Sequence, residues 1–245
     1  KLQVVEGSVN KSFGSLRYYF DVNTRYVGRK LLHILFPFVN RKWKRLSDSD
    51  EIGSQSISDH PKQFAPPRSD LNAPDLYIPL MSLVTYVLLV GYCIGHSNVF
   101  SPEVLGDTVS RGLAMHAFGV LVLWLGSYLT ISSSPSIIDL VAFSGYIFPS
   151  IIVNIVAFLL FGQTVYWAFL LYTTSAYALF LVQSLSQLAG REKTFLYFVL
   201  GYCVAQYFIS WFLGRSALYY FPAPSIDDHN LRDVLADAGF PSIQA

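Results

Sequence analysis

The side chains of this chain that could act on a substrate are few, and their spacing serves no familiar chemistry. Five histidines, His33, His60, His96, His116 and His229, lack metal-ligand spacing, and there is no His-Glu-x-x-His pair. Ser144 could act as a nucleophile with His116 as its base, but Ser144-Gly145 lacks the preceding glycine of a nucleophile elbow. There is no phosphate loop and no dinucleotide fingerprint. The two cysteines, Cys93 and Cys203, fall inside hydrophobic stretches, where a thiol acts as a small apolar group. The expectation is therefore no catalytic residue, no metal and no cofactor; the chain does not read as an enzyme.

What remains is chemistry of association. Twelve of the seventeen Lys and Arg precede Leu76, so a net charge of +1 hides a basic amino-terminal arm. Within it, Thr24 to Phe36 predicts a short amphipathic helix, with Asn23 or Thr24 as cap and Pro37 as stop. At 100° per residue Val27, Leu31, Leu32, Ile34 and Leu35 share an apolar face, and Arg25, Arg29, Lys30 and His33 a polar one. The cluster Arg41-Lys42-Trp43-Lys44-Arg45 follows. Such a helix and cluster suit an anionic membrane surface or an acidic partner. Read alone, the cluster also fits nucleic acid, a reading that the hydrophobic remainder of the chain disfavours. Ser47 to Asp70, rich in Ser, Asp, Gln and Pro, reads as a flexible linker.

The elements that position these groups are set by hydropathy. The chain is 53% hydrophobic and only 13% charged, and from Leu140 to Gly190 it has no charged residue and no histidine. About 20 apolar helical residues cross a bilayer, so that stretch holds two crossings with Gly162-Gln163-Thr164 as the turn. Five spans are predicted: Ile78–Gly95, Leu113–Ile131, Leu140–Phe161, Val165–Leu185 and Phe195–Leu213. None contains Asp, Glu, Lys or Arg. A four-span form with one re-entrant segment is the structural alternative.

The excess of Lys and Arg on one side places the amino terminus in the cytosol, and five spans then leave the carboxyl terminus lumenal. The domain reading is a cytosolic arm over 1–76, a membrane domain over 77–213 and a flexible lumenal tail over 214–245. The sequon at Asn10 lies on the cytosolic arm and should stay unmodified. Gly91 and Gly95 in the first span, and Gly201 and Ala205 in the fifth, are small residues four apart that would let helix backbones approach. Asn154, Gln163, Gln183, Gln187 and Gln206 are expected to hydrogen-bond between helices. Asp139 is expected to serve locally, at the favourable amino end of the third span.

Three segments resemble the Yip family of early-secretory membrane proteins, in its Yip-interacting factor (Yif) branch. They are Tyr18 to Leu31 (Tyr-Tyr-Phe-Asp-Val-Asn-Thr-Arg-Tyr-Val-Gly-Arg-Lys-Leu) with Leu35-Phe36-Pro37-Phe38, then Asp70 to Pro79 (Asp-Leu-Asn-Ala-Pro-Asp-Leu-Tyr-Ile-Pro), and Ile138 to Tyr146 (Ile-Asp-Leu-Val-Ala-Phe-Ser-Gly-Tyr). The resemblance covers about Leu16 to Leu213. It implies five-span residence in the endoplasmic reticulum, the intermediate compartment and the Golgi. It also implies hetero-oligomers with a Yip-family partner, association with Rab-type GTPases and support of COPII-vesicle traffic, without enzymatic activity. Two departures stand out: a Pro- and Gly-rich extension expected before Leu16 is absent, as in a fragment, and the segment after Arg215 is longer than the family leads one to expect.

The combined reading is an all-α membrane protein, a five-span transmembrane helix bundle with a cytosolic arm, acting as a trafficking adaptor. Its candidate docking residues toward a partner or membrane lipids are Arg25, Tyr26, Arg29, Lys30, Leu31, Trp43, Asp75 and Tyr77. The rival reading is a membrane transporter or lipid-translocating protein. A rival of that kind requires a polar cavity near mid-membrane, where the adaptor requires a closed bundle and a presented arm.

Overall fold

The computed structural model describes residues 17–40, 43, 45, 66–97, 100–130, 135–188 and 193–220. The sequon, the basic residues Arg41, Lys42 and Lys44, most of the expected linker, the turn residue Arg191 and the tail beyond 220 lie outside the described residues. The described residues are all helical in their regular structure. Helix α1 is Thr24–Leu35, followed by a 3-10 turn at Pro37–Val39. The others are α2 Tyr77–His96, α3 Pro102–Thr130, α4 Ile137–Gly145, α5 Ile147–Phe161, α6 Gln163–Leu188 and α7 Lys193–Tyr220. Five helical units are long and apolar enough to cross a membrane: α2, α3, α4 with α5, α6 and α7. This matches the five expected spans in order and, within a few residues, in most of their ends.

The differences have local causes. α3 starts at Pro102 rather than Leu113, because its first turns carry Glu103, Asp107 and Arg111, which hydropathy alone rejects. The Ser101 hydroxyl accepts the Val104 amide at 3.3 Å as a helix cap, and Arg111 pairs with Asp107 one turn away. The third span is broken at Tyr146 into α4 and α5. Pro149 has no N–H to give to the carbonyl of Gly145 four residues back, so the helix is interrupted there. α7 continues to Tyr220, past the expected end at Leu213.

The third span is the most enclosed of the five. Tyr86, Tyr146, Phe148, Phe158, Tyr166, Tyr177 and Phe180 are large side chains buried around and within it. The turn from α5 to α6 is shorter than expected: Gly162 alone, at φ 81° and ψ −171°, with its amide on the Phe158 carbonyl at 2.8 Å. That conformation is essentially reserved for glycine.

Close backbone approach occurs at other small residues than those expected. A Cβ at Gly95 or Gly201 would meet nothing within 4 Å, Ala205 is exposed, and a Cβ at Gly91 would meet only the flexible end of Leu105. The tight positions are Gly119 and Gly126, seven residues apart on one face of α3, with Gly145 and Gly214; Gly112, another seven residues back on that face, meets Leu83 and Tyr86 of α2 at ordinary contact distance. A Cβ on Gly126 would lie 1.9 Å from the Phe198 ring, and one on Gly145 2.5 Å from Pro79. A spacing of seven is two helical turns, so α3 offers a smooth seam to α7 and to the third span.

Candidate functional site

The arm meets the bundle in a buried polar knot. Its first member is Asp75, fully buried two residues before α2. One carboxylate oxygen accepts the Ile78 amide at 2.8 Å, capping the helix where its dipole favours an anion. The other accepts the hydroxyls of Tyr26 at 3.0 Å and Tyr146 at 2.7 Å. The Asp75 amide in turn donates to the Tyr146 hydroxyl at 2.8 Å. One carboxylate thus joins the arm helix, the first span and the third span.

Lys30 is the second member. It is fully buried, and its ammonium donates to the carbonyls of Leu71 at 2.6 Å and Ala73 at 3.0 Å. It also stands 5.3 Å from the ring centres of both Tyr146 and Phe180, a desolvated cation–π arrangement. Burial lowers its pKa to about 8, against the opposing pull of the Asp75 and Asp70 charges. Burial, then the adjacent Asp75 carboxylate, raises the pKa of Tyr26.

A further tie lies on each side. Tyr19 donates to Asp139 at 2.7 Å, and its carbonyl accepts the Leu76 amide at 3.2 Å. Burial and the bond to Asp139 raise the Tyr19 pKa. Asp139 therefore has a long-range partner as well as its place at a helix start. On the other side His33 packs between Trp43, at 4.5 Å, and Phe180, at 5.4 Å, with the Asn40 amide nitrogen 3.4 Å from Nε2. Burial and the nearby Lys30 charge lower the His33 pKa to about 4. Arg45 donates to the Tyr18 hydroxyl at 3.1 Å.

These contacts correct the expected faces of α1. The buried stripe is Tyr26, Lys30, His33 and Ile34, positions i, i+4, i+7 and i+8. Lys30 and His33, expected on the solvated face, point inward because carbonyls, a carboxylate and aromatic faces satisfy them there. Leu32, expected inward, is exposed, while Val27, Leu31 and Leu35 are half-buried at the flanks. Among the docking candidates, Tyr26, Lys30 and Asp75 are committed to this intramolecular knot and present nothing outward. Trp43 is half-buried on His33 and Phe180, and Tyr77 is half-buried against the core. Arg25 and Arg29 are exposed. Sequence reasoning missed Tyr19, Tyr146 and Phe180. Asp75 stood among the docking candidates and Tyr146 closed a family-like segment, but nothing in the sequence joined them across 71 positions.

Elsewhere, Thr173 donates to Asn154 at 2.8 Å between α6 and α5, the kind of bond expected of Asn154. His116, Ser144 and Gln206 line a cavity of about 10 Å³, room for about one water. The Ser144 hydroxyl faces that of Tyr202 at 3.4 Å. Among the described residues no group of three or more His, Cys, Asp or Glu is placed to hold a metal.

Comparison with known proteins bears on the three segments that meet in the knot. A family model described as YIF1 matches residues 2–214. The chain is 41% identical to Protein YIF1A of Mus musculus over 217 residues, covering 84% of this chain and 69% of that protein. It is 40% identical to Protein YIF1B of Homo sapiens over 171 residues, covering 69% and 51%. Protein transport protein yif1 of Schizosaccharomyces pombe is 37% identical over 193 residues, covering 76% and 64%. The chain thus spans about half to two thirds of the length of the relatives it matches. No solved structure matches it.

Proposed function

The chain belongs to the YIF1 family, and from that premise we propose that it serves protein transport as a membrane-embedded adaptor between the endoplasmic reticulum and the Golgi. In this reading it works in a hetero-oligomer with a Yip-family membrane protein and recruits Rab-type GTPases. It resides in the membranes of the endoplasmic reticulum, the intermediate compartment and the Golgi, with its amino terminus in the cytosol, and it performs no catalysis. The matched yeast proteins are named as protein transport proteins, which supports the transport role.

The observation that carries the adaptor reading is the knot at Asp75 and Lys30. It spends its buried polar groups on holding an arm against the bundle, with the arm's exposed groups in a fixed place. The polar cavity at His116, Ser144 and Gln206 has room for about one water, less than a transporter or lipid-translocating protein would use. Gly95 on α2, and Gly201 with Ala205 on α7, face outward with open space before them, which suits the approach of a partner's helix.

Affinity isolation of the full chain in mild detergent tests the reading. A Yip-family membrane protein and a Rab-type GTPase should co-purify, and Gly201→Leu with Ala205→Leu should lower recovery of the Yip partner several-fold without loss of membrane insertion. Purification of the chain free of membrane partners, together with solute or lipid movement in vesicles containing it alone, would replace the adaptor by the rival reading.

A further inference from the structure

Along α1 the chain's contacts step progressively deeper into the bundle, then return. Tyr19 is bonded to Asp139 at the start of the third span. Tyr26 and Lys30 reach Tyr146, seven residues farther along that span, through Asp75 and directly. At 1.5 Å per residue that is about 10 Å deeper. His33 packs on Phe180. The Leu35 carbonyl then accepts the Tyr172 hydroxyl at 3.1 Å, and the Phe36 ring lies 6.0 Å from the Tyr172 ring. Phe180 and Tyr172 are eight and sixteen residues inside the end of α6 at Leu188, about 12 and 24 Å by the same rise. Half of a hydrocarbon core is about 15 Å. After the 3-10 turn the path reverses: Trp43 packs on His33 and Phe180, and Arg45 bonds Tyr18.

We infer that α1 and the turn Pro37–Val39 form a re-entrant element that descends into one leaflet beside α6, with Leu32, Phe36, Phe38 and Val39 among lipid acyl chains and Arg25 and Arg29 at the level of the phosphates. The four apolar residues are 60%, 45%, 60% and 82% exposed, Phe36 the least because its ring also meets Tyr172. The exposed cations sit one to three turns nearer the mouth, where their long stems carry charge up to the headgroups. Part of the turn's backbone already has the internal partners that polar groups need in lipid. Phe36 N–H donates to Leu32 at 2.8 Å, Val39 N–H to Phe36 at 3.3 Å, and Pro37 has no N–H to satisfy. A helix lying flat on the headgroups would touch the mouth of the bundle alone; α1 touches it along a line that reaches about 24 Å along α6 from Leu188, to the level of mid-membrane or past it. The occupant of this apolar face is the acyl region of the leaflet, a proposal independent of the trafficking role and of which side is cytosolic.

Nitroxide labels on the full chain in phosphatidylcholine–phosphatidylserine vesicles test it, in a Cys93→Ala, Cys203→Ala background with Arg25→Cys, Phe38→Cys or Val39→Cys. Collision with oxygen, which partitions into lipid, is compared with collision with a water-soluble nickel chelate. Labels at 38 and 39 should favour oxygen and lie at least about 10 Å deeper than the label at 25, the rise from residue 25 to the turn, about 18 Å, being the depth of an untilted helix. Greater access to the nickel chelate at 38 and 39 would overturn the proposal by placing the turn in water. Exclusion of both reagents would overturn the lipid occupant in favour of a second copy of the chain. Position 39 is the most open of the three, so its label tests the depth even where Phe38→Cys disturbs packing.

Discussion

Asp75 and Lys30 show how two charges, costly when buried alone, become a fastening when three bonds reach the carboxylate and two leave the ammonium. Removing one member should therefore cost more than a surface change. Asp75→Ala takes from the Ile78 amide its acceptor and from the two tyrosine hydroxyls their shorter, charge-assisted bonds, leaving Tyr26 on the Ala73 carbonyl at 3.2 Å and Tyr146 on the backbone carbonyl of residue 75 at 3.3 Å. A charge-assisted bond is worth about 1.5–3 kcal/mol, so the arm should undock, and protease should cut within residues 24–36 at least ten times faster in detergent. Asp75→Asn should be intermediate; protection equal to the parent would sink the fastening role. Lys30 adds a pH dependence. Docked, it releases its proton near pH 8, against 10.5 when free. Between those values the undocked state holds more protons, so docking strengthens as pH rises, with the penalty for burying the cation fully present below pH 8. Tyr26, shifted upward when docked, reverses the trend once the undocked phenol titrates near pH 10. Arm protection should therefore rise from pH 8 toward pH 10, and Lys30→Met should flatten that rise; a parent profile that stays flat would contradict the docked pose of Lys30.

At the scale of elements, the seam of α3 and the single-residue turn make sharp demands. Gly126→Ala puts a Cβ into the Phe198 ring, and overpacking of this kind costs about 1–3 kcal/mol. Gly201→Ala, with open space before it, should leave stability within about 0.5 kcal/mol. Thermal unfolding in detergent, comparing the two, checks whether the seven-residue glycine series rather than the Gly-x-x-x-small pair holds this chain together. Gly162→Ala should cost about 1–3 kcal/mol through backbone strain alone, since nothing lies within 4 Å of the added carbon. Gly162→Asn should cost as much, because asparagine's tolerance of positive φ belongs to the left-handed helical region and does not extend to ψ −171°.

For the whole molecule, five helices are long and apolar enough to cross a membrane, and five crossings would set the arm and the segment after the last helix on opposite sides, an expectation open to test. A glycosylation acceptor placed after Ala245 should be modified and one placed near Ser54 should not, as the charge bias of the arm requires. Modification of the Ser54 acceptor alone would invert the orientation, and modification of neither would remove one crossing. The re-entrant arm adds no crossing to this count, because it leaves on the side from which it enters.

Hydropathy was enough to find five spans in this chain, because an uncharged stretch of span length is a local property that lipid selects directly. Local chemistry also marked Pro37 as the stop of α1 and Gly162 as the turn after Phe161. The face that α1 buries was beyond such reasoning. Periodicity sorts side chains by polarity, and a lysine counts as outward unless something inside can hold it. Only tertiary structure supplied that something: two carbonyls at Leu71 and Ala73, the Asp75 carboxylate nearby, and the rings of Tyr146 and Phe180 from helices more than a hundred residues away. The same holds for the packing glycines. A Gly-x-x-x-Gly pattern can be read from spacing, but whether a glycine is in contact depends on which helix lies opposite, and that decided for Gly126 and Gly145 over Gly95 and Gly201.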